Sequence, residues 1–304
     1  KMKYFLKKIL FAIFLLIAIL FLIAVVFPYN PDSYNRELFV KREMLQRRDS
    51  TGLILVGGSN VAFGFDSKRL SDSLQMPVYN FGLHAGLGLK FILDDVSRYL
   101  KSGDIVLVTP EYSHFHGDTA YGSQPLCDVT MLDLASLNLL NRPQFKAIFR
   151  NFLPFLRSKI EYTLVSWFYP SYQTIYRMSA FNRKGDVVDH WDTGRRHYTQ
   201  LSVADNYDPN MKYLEEFKMQ INRIRNQSVR LYVLPPVISS TSFENQRVFI
   251  CGLQKSLDSL QVGFSDRIEK YALNDSLFYD TPYHCTHNGA IVHNQRISDF
   301  IENL

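Results

Sequence analysis

Leu53-Ile54-Leu55-Val56-Gly57-Gly58-Ser59-Asn60 is four apolar residues, a glycine pair and then a serine. A short run that is apolar at every position has no wet face, which suits a strand buried in a parallel sheet. Outward from this stretch the same beat repeats. Asp66 predicts the cap of a helix running through Leu74, and Val78-Tyr79-Asn80-Phe81 a second strand ended by Gly82. Leu89, Ile92, Leu93, Val96 and Leu100 recur at helical spacing, Gly103 stops that helix, and Ile105 to Thr109 is again wholly apolar but for its last residue. Later, Tyr213, Phe217, Ile221 and Ile224 mark a helix, Val229 to Leu234 a strand and Phe243 to Leu260 another helix, before a terminal helix ending at Leu304. Strand alternating with helix predicts an α/β domain with a parallel sheet.

The 304 residues are 46% hydrophobic and 21% charged, enough apolar surface for one sizeable core and too much for a disordered chain. A net charge of +5 could suit nucleic acid, but 34 Lys and Arg are interspersed with 29 Asp and Glu and form no basic block, so nucleic-acid binding is not expected. Cys127, Cys251 and Cys285 have no metal-ligand spacing and allow at most one disulfide. Neither a metal nor a cofactor is implied.

Ile9 to Phe27 is nineteen uncharged residues, a helix of roughly 28 Å that can cross a bilayer. It ends in Val-Val-Phe-Pro without a small-x-small cleavage pattern, which predicts an uncleaved anchor. Lys1, Lys3, Lys7 and Lys8 precede it and place that end in the cytoplasm, with the rest of the chain in the periplasm or outside the cell; Arg36, Lys41, Arg42, Arg47 and Arg48 beyond the span weaken the bias. The organisation expected is an anchor at 1–30, a juxtamembrane linker with some helix at 31–50, and one domain at 51–304. Residues of about 125–205 lack the strand-helix beat, are rich in Phe, Tyr, Trp and Arg, and read as a helical or irregular insert or lid.

Ser59 follows the first strand on a turn whose glycines permit a sharp bend with outward N–H groups. An alcohol is a weak nucleophile at neutral pH and needs an imidazole within hydrogen-bond reach, which in turn needs a carboxylate to fix its tautomer. Asp280 and His284 stand together in Tyr279-Asp-Thr-Pro-Tyr-His-Cys-Thr-His287, with His287 as a second candidate base.

Gly57-Gly-Ser-Asn60 after the first strand, Tyr79-Asn-Phe-Gly82 after the second and the late Asp280…His284 together resemble the SGNH (GDSL-like) hydrolase superfamily over roughly residues 50–110 and 228–304. The resemblance implies a three-layer α/β/α sandwich with a flavodoxin-like parallel sheet, and a site at the carboxyl ends of the strands. It also implies Ser59 as nucleophile, His284 as base, Asp280 as its orienting partner, and the N–H groups of Ser59 and Gly82 as an oxyanion hole. Two departures stand out: the third motif reads Thr109-Pro-Glu-Tyr112 where the family has an asparagine, and Asp280 and His284 are four apart where three is common. Asn60 or Asn80 could replace the missing asparagine, the hole could have two donors, or catalysis could be lost. With an N-terminal anchor the chain is similar to the membrane-anchored members that modify envelope polymers, such as alginate O-acetylation proteins and the D-alanine transfer protein of teichoic acids. That likeness implies an O-acyltransferase or esterase, acetyl being the expected acyl group, with an acyl donor, a glycan acceptor and a membrane-bound O-acyltransferase as partners; the alternative is a silent adaptor of such machinery.

Glu111, Tyr112 and His84, after strands three and two, are further candidates for touching substrate, as is His287. His114-x-His116-x-Asp118 lacks a fourth ligand at sensible spacing. The stripe Phe145, Ile148, Phe149, Phe152, Phe155 and Leu156, edged by Lys146, Arg150 and Arg157, suits core packing or an interfacial helix. Phe181-Asn-Arg-Lys-Gly-Asp186 and His190-Trp-Asp192 could grip a sugar or pack as a lid, and Cys285 reads as packing beside His284.

Overall fold

The computed structural model describes residues 2–168, 174–202 and 208–304. Strands β1 (Leu53–Gly57), β2 (Val78–Asn80), β3 (Ile105–Thr109) and β4 (Arg230–Val233) form one sheet in the order β2-β1-β3-β4, parallel throughout. The helices are α1 (Met2–Val26), α2 (Glu37–Arg47), α3 (Ser59–Ala62), α4 (Ser67–Leu74), α5 (Leu89–Val96), α6 (Gln124–Leu132), α7 (Arg142–Phe168), α8 (Met211–Arg225), α9 (Ser240–Ser259) and α10 (His287–Glu302).

Successive side chains of a strand point to opposite faces, so each wholly apolar strand feeds two cores. Ile54 and Val56 of β1 pack with Val106 and Val108 of β3 and with Leu38, Phe91, Phe217 and Ile250 from α2, α5, α8 and α9. Leu53 and Leu55 face the other way, into a core with Leu70 of α4 and Ala290 and Ile297 of α10. Helices on both faces give the three-layer α/β/α sandwich that the family resemblance implies, around the parallel sheet that the alternation predicts. β5 (Ile238–Ser239) and β6 (Ala272–Leu273) form a separate parallel pair.

The order β2-β1-β3-β4 means that the chain winds outward on one side of β1, then crosses over and winds outward on the other. Loops leaving the carboxyl ends of β1 and β3 therefore diverge and leave a crevice, the usual ligand position in open α/β sheets. Gly57 pairs with Thr109 in the β1/β3 register, so Ser59 and Glu111, each two residues further on, stand at the same mouth.

α1 is long and apolar enough to cross a membrane, and most of its side chains are exposed.

Residues 31–50 are not a linker. Leu38 and Leu45 of α2 are buried in the main core, and each fully buried leucine contributes about 1.5–3 kcal/mol. Three of the cations here are core partners: Arg48 holds the buried Asp104 with both terminal guanidinium nitrogens, Arg42 reaches Asp95 and Asp133 at 2.8 Å each, and the Lys41 ammonium donates to the carbonyls of Asn80 (2.9 Å) and Gly185 (2.6 Å). The insert consists of α6, α7 and an irregular stretch at 174–202; its remaining residues, 169–173 and 203–205, lie outside the described residues. Along α7 the apolar stripe divides, with Ile148, Phe155 and Leu156 in the core and Phe149 84% exposed.

Candidate active site

Gly57 and Gly58 carry the turn after β1 through a crowded space. A Cβ on Gly57 would stand 2.6 Å from the Thr109 carbonyl oxygen, and one on Gly58 2.8 Å from Glu111 Oε1, so close approach rather than unusual dihedrals demands glycine. The Asn60 side chain staples the turn, accepting from Gly58 N at 3.0 Å and donating to the Thr109 carbonyl at 2.9 Å. Ser59 opens α3, and its hydroxyl donates to Glu111 Oε1 at 3.2 Å, while Asn60 N donates to the same oxygen at 3.4 Å.

Asp280 and His284 occupy a hairpin loop closed by the Phe278–Cys285 bridge and by Tyr279 N donating to the His284 carbonyl at 2.7 Å. Thr281 Oγ1 accepts from His284 N at 3.1 Å and tightens the bend, so a four-residue spacing brings carboxylate and imidazole to one side. His284 Nδ1 lies 2.8 Å from Asp280 Oδ1, the contact that puts the proton on Nδ1 and leaves Nε2 free to accept one. Tyr176, from the insert, donates its hydroxyl to the other Asp280 oxygen. Burial raises the Asp280 carboxyl, but the hydrogen bond and charge of His284, with the Tyr176 hydroxyl, outweigh it and hold the group below its ordinary value. Phe63, one residue past α3, stacks on the His284 ring at 4.1 Å and 7° between planes, tying the imidazole to the Ser59 turn.

Ser59, Glu111, His84 and His284 line one cleft of about 770 Å³, with Tyr34, Tyr176 and Phe249 among its other walls. His84 Nδ1 accepts from Gly86 N at 2.9 Å, which assigns its proton to Nε2. Burial, the largest influence on its ring, lowers the His84 pKa. The result is a neutral imidazole with one N–H to donate.

Of the other sequence candidates, Gly82, Asn60, Asn80, Tyr112 and His287 lie outside the cleft lining. Gly82 N is engaged by Asn80 Oδ1 at 2.9 Å, and the Asn80 amide donates to the Val61 carbonyl and to Asp186. With the Asn60 amide also occupied, these three groups brace the loops. Tyr112 is 1% exposed and packs against Phe264. His287 stacks on Trp191 with ring centroids 4.0 Å apart and its Nε2 is 3.4 Å from Asp66, so of the two late histidines only His284 meets Asp280. His114 Nε2 is bonded to the Ala85 carbonyl, while His116 lines the cleft. Asp186 accepts from Ser67, Asn80 and Asn182, and His190 Nε2 from its side reaches the Cys285 carbonyl at 2.8 Å, so this part of the insert packs against the domain. Cys285 is wholly buried, and that burial pushes its thiol up to about 12.

Sequence reasoning missed Tyr176, Tyr34 and Phe63. The aromatic richness of the insert was the only signal for Tyr176, and none pointed to the other two.

Sheet order and crevice define an α/β protein whose candidate site lies at the carboxyl edge of a parallel sheet. No family model matches the chain, and no curated protein matches it. Among solved structures it is similar to one described as "a putative platelet activating factor from Streptococcus pneumonia", with 12% identity, a TM-score of 0.35, and coverage of 88% of this chain and 92% of that one.

Proposed function

We propose that this chain is a membrane-anchored serine enzyme of SGNH-like type, an O-acyltransferase or acylesterase that handles acyl esters, acetyl first among them, on a glycan outside the cytoplasm. The observation that carries the reading is the Asp280–His284 pair, its imidazole stacked on Phe63 just past the Ser59 helix and lining the cleft that Ser59 also lines.

In the proposed reaction Ser59 Oγ attacks the acyl carbonyl as His284 Nε2 takes its proton. Asp280 stabilises the imidazolium and remains ionised. The carbonyl oxygen becomes an oxyanion that accepts from Ser59 N and the His84 Nε2–H, which takes the place of the family's asparagine. Collapse expels the donor's alcohol with the proton from His284, leaving an acyl-serine. Water then gives hydrolysis, or a sugar hydroxyl gives transfer, with His284 again removing the proton. α1 serves as the anchor with its lysine-rich end in the cytoplasm, and a membrane-bound O-acyltransferase is the proposed source of acyl groups.

The test is intact-mass analysis of the full chain in detergent after a serine-directed fluorophosphonate. One adduct on the wild type and none on Ser59→Ala is expected; an unlabelled wild type refutes the proposal.

A non-catalytic adaptor is the second reading, favoured by the Ser59 hydroxyl being bonded to Glu111 and by Gly82 N being engaged. Glu111→Gln separates the possibilities further. The triad reading expects labelling within about tenfold of wild type, whereas loss of a general base costs about 10²–10⁴. An adaptor would show no labelling in either protein and full cellular function for Ser59→Ala.

A further inference from the structure

Two contacts set the direction of α7 against α1. Phe155 stacks near Tyr29, three residues beyond the end of α1, with ring centroids 6.0 Å apart, and one turn later Lys159 Nζ donates to the Ala24 carbonyl, inside α1's last turn. Rising numbers on α7 thus meet falling numbers on α1, and the two helices run antiparallel. Leu20, Ile23 and Ala24 are the α1 side chains that α7 and its neighbours half-cover, whereas Ile13 and Leu16, deeper in the span, are exposed. α7 therefore accompanies the outer turns of α1 and then leans away.

Phe168 lies nine residues past Lys159, at most about 13 Å further along the axis. Between Glu161 and Phe168 there is no charged residue, and Leu164, Val165, Trp167 and Phe168 expose 46%, 39%, 73% and 69% of their surface. Within a folded domain such side chains would lack apolar partners, yet the antiparallel course of α7 carries them past the Lys159–Ala24 contact, toward the level of the α1 turns that a bilayer would cover. The charges change where the depth does: Arg157 and Glu161 pair with each other at the level of the α1 terminus. Lys159 places its ammonium over the Phe155 ring, 5.5 Å from its centroid, and at the carbonyl end of α1, where a cation is favoured.

We propose that the last two turns of α7 enter the outer lipid leaflet beside α1, with Trp167 and Phe168 below the headgroups, so that the domain is held to the bilayer at two points and its orientation is fixed. This rests on the reading of α1 as a membrane anchor. Tryptophan is suited to the role because its ring is apolar with one polar edge, the composition that gathers at membrane interfaces.

Trp167 and Trp191 are the two tryptophans of the chain, so Trp191→Phe makes Trp167 a sole reporter and Trp167→Phe is its control. The full chain is reconstituted in vesicles whose lipids carry bromine at different depths, and α1 insertion is measured separately by protection of a cysteine placed at Leu16. Blue-shifted Trp167 emission, quenched most by the shallow bromines, is expected, with Trp191 unaffected. Water-like, unquenched Trp167 emission while Leu16→Cys is protected overturns the α7 proposal and leaves the anchor standing. An unprotected Leu16→Cys overturns both.

Discussion

Glu111 meets Ser59 because β1 and β3 are in register at Gly57 and Thr109, and both chains leave the sheet there. At this scale the serine, the late histidine and its carboxylate were legible, since a strand-glycine-serine sequence and a close Asp–His pair are local patterns. The proposed replacement for the missing asparagine was not, because it depends on which ring nitrogen of His84 a neighbouring backbone N–H occupies. That tautomer leads to a prediction. His84→Ala should lower kcat by about 10²–10³, the usual cost of an oxyanion donor, with KM little changed. Steady-state kinetics on an activated acetyl ester measures the split, and an effect confined to KM would make His84 a ground-state binding residue instead.

α2 shows how an element can mislead when read by composition. Its arginines and lysine suggested a charged connection after the apolar span, yet Arg48 and Asp104 are a two-pronged pair with side chains 1% and 0% exposed. Asp104 also accepts from Gly52 N at 3.1 Å and Lys101 N at 2.7 Å, so the pair fixes the starts of β1 and β3 together. Removing one member of a buried pair leaves an uncompensated charge, and Arg48→Ala should destabilise the domain by about 3–5 kcal/mol. Urea unfolding of the detergent-solubilised chain measures this; a change under 1 kcal/mol would mean that α2 is dispensable to the fold. The regular elements of the sandwich were readable because their periods are local, whereas α2's place needed the partners on α5 and before β3.

Over the whole molecule, buried imidazoles link stability to pH, His190 and His293 among them. His190 and His293 are 1% exposed, one bonded to the Cys285 carbonyl and the other to the Gly64 carbonyl at 2.9 Å, and burial depresses each to about 4. In the unfolded chain an imidazole titrates near 6.5, so between about pH 6.5 and 4 the unfolded state binds the extra protons. Stability should therefore be full above pH 6.5 and fall as pH drops toward 4, by on the order of 3 kcal/mol for each group. Unfolding midpoints at pH 7 and pH 5 test this, and a drop that persists undiminished in His293→Gln would remove that residue from the account. The amino-acid sequence by itself determined the alternation of buried strands and helices, the long apolar N-terminal segment and the Asp280–His284 pair, because each is written within a few neighbouring residues. The tertiary structure alone decided that Tyr176 reaches Asp280 across 104 positions and Glu111 reaches Ser59 across 52. It likewise decided that α2 is core and that α7 returns to α1. Those contacts join residues whose meeting depends on sheet order and layer packing, which no local period encodes.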